Sequence, residues 1–176
     1  MLDGDYGHDV LNGGNGDDTL SGGHNNDKLN AGSGLDQLDG GYGNDTLYGG
    51  GGDDALTGGA GNDKLFGGSG NDVIFGDAGN DIIHGGGGSN TADYSSFDTD
   101  LKIWLHNNKA HGLQIGTDSL KYMQNINSGS GDDHLQGTSG INVINAGDGD
   151  DYVRSLKGED ILTGGGGTDQ FVYRAY

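Results

Sequence analysis

Along the first half of the chain a single apolar residue returns at every ninth position, flanked on both sides by mostly polar residues. The series runs Leu11, Leu20, Leu29, Leu38, Leu47, Leu56, Leu65, Ile74, Ile83 and Ala92. After an interruption it resumes in a new phase with Leu135, Ile144, Val153, Leu162 and Phe171. One apolar residue in nine cannot make the stripe of an amphipathic helix, which needs three or four in two turns. A polar-apolar-polar triplet is instead the period of a very short strand with one inward side chain. Between triplets stands the six-residue pattern Gly-Gly-x-Gly-x-Asp, a turn whose glycines permit positive φ and close backbone approach. Strand, turn, strand and turn make an 18-residue coil, so the pattern predicts a flat all-β parallel solenoid with two sheets sharing a thin Leu/Ile core.

The unit repeats without a gap ten times from Gly4 to Asp93, with clear copies in "GGNGDDTLS" from Gly13 and "GGAGNDKLF" from Gly58. Five more copies follow, from "SGSGDDHLQ" at Ser128 to "GGGGTDQFV" ending at Val172. The expected organisation is therefore a first repeat block over 1–93, a connector or capping segment over 94–127, a second block over 128–172 and a truncated end at 173–176. Two buried aliphatics per coil form a thin core, and the turns need a second source of cohesion.

Composition sharpens this picture. The 176 residues include 41 Gly, no Pro, no Cys and a formal charge of −19. Such low hydrophobicity with high charge reads as disorder, but 36 of the 41 glycines occupy the first, second or fourth position of the unit. The glycine excess is positional rather than that of a linker. Without Cys there is neither a disulfide framework nor a thiolate metal site. Eight Lys plus Arg against 27 acids disfavour nucleic acid and anionic membranes as partners. No stretch is long and apolar enough to span a bilayer as a helix, and the start "MLDGDYGHDV" lacks the basic and apolar parts of a cleaved signal peptide.

The acids are almost all Asp, and thirteen hold the sixth position: Asp9, Asp18, Asp27, Asp36, Asp45, Asp54, Asp63, Asp72, Asp81, Asp133, Asp151, Asp160 and Asp169. Residues 18 apart stack in neighbouring coils, so Asp9 lies over Asp27 and Asp18 over Asp36. Bare carboxylates about 4 Å apart repel by roughly 4 kcal/mol at an intermediate dielectric. A hard divalent cation between the coils reverses the sign. Calcium, which takes six or more carboxylate and carbonyl oxygens in flexible geometry, fits better than magnesium, which demands a strict octahedron and keeps its waters.

The unit Gly-Gly-x-Gly-x-Asp-x-(Leu/Ile)-x resembles the RTX, or haemolysin-type calcium-binding, nonapeptide repeat, and the resemblance covers both blocks. It implies a right-handed parallel β-roll that folds on calcium, carried near the C-terminus of toxins, adhesins or exoenzymes exported by type I secretion from Gram-negative bacteria. The expected location is extracellular, either released or associated with the cell surface. It also implies ions between coils, held by the sixth-position carboxylates and by turn carbonyls. Carried over, the carbonyl donors are Gly13, Asn15, Gly40, Tyr42, Gly49, Gly51, Gly58, Ala60, Gly67 and Ser69. Asn90 and Asn142 replace the sixth-position Asp, Asn25 replaces a turn glycine, and "SLKGED" from Ser155 lacks both leading glycines. Eleven stacked pairs remain, nine with Asp on both sides, so about nine calcium ions and at most eleven are expected.

In the connector, "LKIWLH" from Leu101 alternates as a strand, "NNKAHG" reads as a turn, and "LQI" from Leu113 as the returning hairpin strand. Ile126 falls in frame with Leu135 and Ile144. The expected role is a cap or joint covering one roll end with Leu101, Ile103, Trp104 and Leu105, with Trp104 and Tyr122 available to stack on a sugar. The final "GGGGTDQFVYRAY" resembles the family's hydrophobic closing turn. The six histidines are scattered with no His-Glu-x-x-His motif and are expected at the solvent-exposed surface. No βαβ unit surrounds the glycines, no EF-hand helices flank "DGDD", and no nucleophile and base pair stands out. The reading is a non-enzymatic calcium-binding module. A polysaccharide-binding accessory module like those on alginate epimerases, and a receptor-binding segment of an adhesin or toxin, are the alternatives.

Overall fold

The computed structural model describes residues 1–173, so the last three residues of the "truncated end" lie outside the described residues. Twenty strands succeed one another. They are β1 (Leu2–Asp3), β2 (Val10–Asn15), β3 (Thr19–His24), β4 (Lys28–Ser33), β5 (Gln37–Tyr42), β6 (Thr46–Gly51), β7 (Ala55–Thr57), β8 (Lys64–Ser69), β9 (Val73–Phe75) and β10 (Ile82–Gly87). Then come β11 (Thr91–Asp93), β12 (Leu101–Trp104), β13 (Lys109–Gly112), β14 (Gly116–Lys121), β15 (Asn125–Asn127), β16 (His134–Gln136), β17 (Val143–Asp148), β18 (Tyr152–Ser155), β19 (Ile161–Gly166) and β20 (Gln170–Tyr173). The only described helix is one 3-10 turn, Leu105–Asn107.

Strands alternate between two sheets, as a coil of strand, turn, strand and turn requires. The first sheet has the order β1-β3-β5-β7-β9-β11-β15-β17-β19, and every neighbouring pair in it is parallel. In the second the order is β2-β4-β6-β8-β10-β14-β13-β12-β16-β18-β20. Register follows the 18-residue coil: Leu29 pairs with Leu47, Leu47 with Leu65, and Leu20 with Leu38. The inward residues of both sheets meet in one dry column. Leu29, Leu47, Leu56, Leu65, Ile74, Ile83, Ile126 and Ile144 have no exposed surface. Leu11 and Leu162 are only partly buried, and Phe171 is 37% exposed because no coil stacks beyond it.

The second- and fourth-position glycines are dictated by this stacking. Gly32 and Gly41 take φ of 113° and 93°, where an L side chain is strained, and a Cβ on either would collide with the carbonyl of the coil before. Asn25, at a fourth position, holds φ of 78°, as asparagine tolerates better than most residues.

The connector, expected as a cap or joint, is a joint between the blocks, and its hairpin pairs differently from the expectation. Its first strand, β12, is where "LKIWLH" predicts it, but its partner is β13, not "LQI". The reversal is already complete at Asn108, left-handed at φ 57° with its N–H donated to the Leu105 carbonyl, so Lys109 begins the returning strand. β14 then runs antiparallel to β13 and parallel to β10, while β12 runs parallel to β16. The meander is thus spliced into the second sheet between the two repeat blocks instead of closing an end. In the first sheet β11 pairs directly with β15. Leu101, Ile103 and Leu105 are buried as expected, but Trp104 is not among them; it lies half-buried on the outer face, edge-on to His134.

Removing a mid-column side chain should be costly, because a one-layer core has little to collapse into the gap. Leu65→Ala is expected to destabilise the folded chain by about 2–5 kcal/mol, read from the urea midpoint, whereas Lys64→Ala on the outer face should stay within about 0.5 kcal/mol.

Candidate metal-binding turns

Each turn ends on its sixth-position residue, which immediately precedes an outward-inward-outward strand. The turn therefore aims that side chain along the coil edge rather than into the core. All thirteen sixth-position aspartates stand in such stacks. Asp9, Asp27, Asp45, Asp63 and Asp81 line one edge, and Asp18, Asp36, Asp54 and Asp72 the other. In the second block Asp133, Asp151 and Asp169 continue one stack, while Asn142 and Asp160 form the other.

The two oxygens of each carboxylate are used differently. Oδ1 accepts the backbone N–H of the sixth residue one coil earlier: Asp9 donates to Asp27 at 2.7 Å, Asp27 to Asp45 at 2.7 Å and Asp54 to Asp72 at 3.0 Å. Oδ2 of Asp9, Asp18, Asp27, Asp36, Asp45, Asp54, Asp63, Asp72, Asp81 and Asp151 is buried with no hydrogen-bond partner. Buried polar atoms are ordinarily satisfied, and an unpartnered buried carboxylate oxygen is among the costliest exceptions. Ten in register mark a missing positive partner.

The first-position glycines open onto these oxygens. A Cβ on Gly13 would lie 2.6 Å from Asp18 Oδ2 and 2.7 Å from the Ala31 carbonyl oxygen. On Gly22 it would lie 2.7 Å from both Asp27 Oδ2 and the Gly40 carbonyl, and on Gly40 2.6 Å from both Asp45 Oδ2 and the Gly58 carbonyl. Over Gly49 the Gly67 carbonyl stands 2.6 Å from the same point, beside Asp54 Oδ2. Each glycine thus leaves a cradle shared by a carboxylate of its own coil and a carbonyl of the next. Among the ten carbonyl residues, Gly40, Gly58 and Gly67 are placed this way. The third-position carbonyls of Gly51, Ala60 and Ser69 each accept a backbone N–H, from Gly34, Gly43 and Gly52 at 2.9 Å, which leaves one lone pair apiece. Asn15 pairs with Ser33 in the strand ladder and Tyr42 with Ala60 through an isolated bridge, and Gly13 and Gly49 are at first positions. Among the described residues no three His, Asp or Glu side chains converge on one point, so a cation here would need backbone carbonyls for most of its shell. The donor set is all oxygen, which suits calcium.

Burial dominates the electrostatics. It pushes the Asp45, Asp54 and Asp151 carboxyls up to about 6, helped by the stacked carboxylates on either side. Asp81 reaches about 7, through burial and then the Asp118 and Asp63 charges.

Sequence reasoning missed three features. Asp118 is a sixth-position residue inside the connector, accepting the Asp81 N–H at 3.0 Å. Its signal was present in "GTDSL", which keeps Gly, Asp and Leu at the right spacing. Gln124 holds the equivalent place on the other edge, accepting the Asn90 N–H at 2.7 Å, with only Ile126 in frame to announce it. The fifth position forms a second ladder, in which Asn44 donates its N–H to Asn26 Oδ1 at 2.9 Å and Asn62 to Asn44 at 2.7 Å. The expectation for histidine holds for His8, His106 and His111; His24, His84 and His134 are half-buried in rows of rings. His24 stacks between Tyr6 and Tyr42 at 4.5 and 5.1 Å.

The RTX calcium-binding nonapeptide repeat family matches residues 3–38, 30–65, 57–92, 127–162 and 154–173. The chain belongs to this family. The matched RTX segments flank the connector and take in every turn whose carboxylate oxygen is unpartnered. No curated protein matches the chain. RTX repeats bind calcium, and the regularly spaced buried aspartates with their all-oxygen surroundings fit that ion.

A cation at these oxygens would have to compete with protons. The carboxyls of Asp45, Asp54, Asp81 and Asp151 are raised above their ordinary value of 3.8, so at these positions the ion-free fold holds protons that the unfolded chain has lost. Its stability falls as pH rises from about 4 through about 7, and the penalty is absent below that window. In chelator, acidification from pH 7.5 to 4.5 should therefore raise the β signal in circular dichroism. Apparent calcium affinity should weaken over the same interval.

Proposed function

We propose that this chain is a calcium-dependent folding module of a larger secreted protein. The observation that carries the reading is the file of buried, partnerless Oδ2 atoms beside open glycine cradles. Asp9 to Asp81, with Asp151 and Asp169, hold the cations with first-position carbonyls; of the nine Asp-Asp stacks, Asp133–Asp151 already has its Oδ2 on the Ser128 hydroxyl, so nine less one leaves about eight ions of the nine to eleven that the repeat count allows. Bound calcium supplies the positive charge that lets stacked carboxylates lie buried. Without it, the carboxylates repel and the thin core cannot hold the coils, so the chain is expanded. Cytosolic calcium, below about a micromolar, lies under the range of weak extracellular modules, and about a millimolar outside lies within it. The chain then stays threadable inside the cell and folds after export, which suits type I secretion and gives the transit a direction. The module itself is not an enzyme; a toxin, adhesin or exoenzyme activity would reside elsewhere in the parent protein.

Calcium titration followed by far-UV circular dichroism tests this. A cooperative gain of β signal between about 0.1 and 10 mM is expected, with magnesium much less effective. A flat signal up to about 10 mM would overturn the reading.

A second reading, recognition of polysaccharide or of a cell-surface receptor, draws on the outer face of the second sheet. Tyr122 is 61% exposed and rests on His84 at 4.7 Å, in a row with Tyr48 and Phe66. Trp104, His134 and Tyr152 form another. If these rings bind sugar, a glycan array in calcium should show signal that Trp104→Ala or Tyr122→Ala reduces at least tenfold; silence with the parent chain removes this reading.

A further inference from the structure

The joint between the blocks differs from the turns on either side in one chemical respect. Where the repeat register would place an unpartnered oxygen, the joint supplies a protein donor. Asp118 Oδ2 accepts the Tyr94 hydroxyl at 2.7 Å, and Asp133 Oδ2 accepts the Ser128 hydroxyl. Neither oxygen is among the orphans. At the two positions where Asn replaces Asp, the side-chain amide does the equivalent work. Asn90 Nδ2 donates to the Tyr122 carbonyl at 3.1 Å, and Asn142 Nδ2 to the Gln124 carbonyl at 2.6 Å.

The cradles are closed as well. A Cβ on Gly76 would run into the ring of Tyr94, not into open space between oxygens. On Gly85 it would meet Asn90 Nδ2 and the Tyr122 carbonyl, which are already bonded to each other. Ser128 stands at a first position, and it is its hydroxyl that occupies Asp133 Oδ2; Ala31 and Ala146 at the same position have none, and the Asp36 and Asp151 oxygens of their units stay unpartnered. The four donors come from residues that break the repeat, and all four side chains are fully or almost fully buried.

We propose that the joint is a cation-free seam: Tyr94, Asn90, Ser128 and Asn142 replace calcium with neutral hydrogen-bond donors, so the ions bind as two separate arrays. This deepens the calcium reading and rests on it. The two asparagines remove charge at the seam, and the hydroxyls of Tyr94 and Ser128 satisfy the two carboxyl groups that remain there. The coil spacing is kept at the seam, with the Asp81 N–H on Asp118 Oδ1 at 3.0 Å and the Asn90 N–H on Gln124 Oε1 at 2.7 Å, so the side-chain donors themselves take the ion's place. A donor of fixed length on a side chain needs only one acceptor.

Two experiments test the seam. Anomalous diffraction from crystals grown in saturating calcium places every ion without any substitution. The expected result is ions on the Asp stacks of both blocks and none bound to Asn90, Asp118, Asp133 or Asn142. An ion on any of those four overturns the seam while leaving the calcium reading intact; no ion anywhere overturns both. In the second experiment, Asn142→Asp removes the donor, adds a carboxylate facing the Gln124 carbonyl, and should gain one calcium per chain by native mass spectrometry. Asn90→Asp should do the same at the other edge. Folded variants with an unchanged ion count would overturn the proposal. Should either substitution prevent folding, the diffraction result on the unsubstituted chain still decides it.

Discussion

A carboxylate with one oxygen committed to the backbone and the other without a partner is the constraint on which this molecule turns. The committed oxygen sets the distance and register between coils, since each sixth-position Oδ1 catches the N–H of the coil before it. The free oxygen makes that same arrangement unfavourable unless something positive arrives. One residue type therefore both specifies the stacking and withholds its stability. Glu, one methylene longer, would have to fold back to reach the same N–H, which agrees with 26 Asp against a single Glu in the chain.

The thin core follows from the same constraint. The longer strands run six residues, but their second inward position holds only Gly or Ala in the repeats, so each strand gives one large inward side chain, and the column from Leu29 to Ile83 is buried throughout but one residue wide. Hydrophobic burial chooses which face of each strand turns inward, and the carboxylate ladder chooses which strands lie side by side. The fifth-position Asn and Asp ladder adds a second set of side-chain to N–H bonds at the same spacing. The outer rows of rings, such as Tyr48 on Phe66 at 5.0 Å, add a third.

Most of this was legible in the sequence because a solenoid repeats its physics as often as its letters. The period fixed the coil length, the inward residues and the positions of all thirteen sixth-position aspartates. The connector was harder, because there no neighbour repeats the message. "LKIWLH" declared a strand by alternation, but its partner depended on where a short turn would finish, and Asn108 in the left-handed region closed it earlier than the glycine-marked turn suggested. Asp118 was readable in "GTDSL" once a shifted phase is allowed, whereas its stacking on Asp81 across 37 residues depends on the meander. The hydroxyls of Tyr94 and Ser128 could not have been assigned from sequence, since nothing in a linear pattern says which buried oxygen they will meet.

The two sheets carry different numbers of strands, nine in one and eleven in the other, because the meander belongs to the second alone. In the first sheet the strands run parallel from β1 to β19 with every neighbour about 4.8 Å from the next and no interruption at the joint. In the second, the outward rows are broken by an antiparallel strand, β13. The molecule is thus a ruler on one side only. A periodic polymer laid across the strands would keep phase with the first sheet over the whole length of the solenoid, and would slip out of phase on the second at the meander.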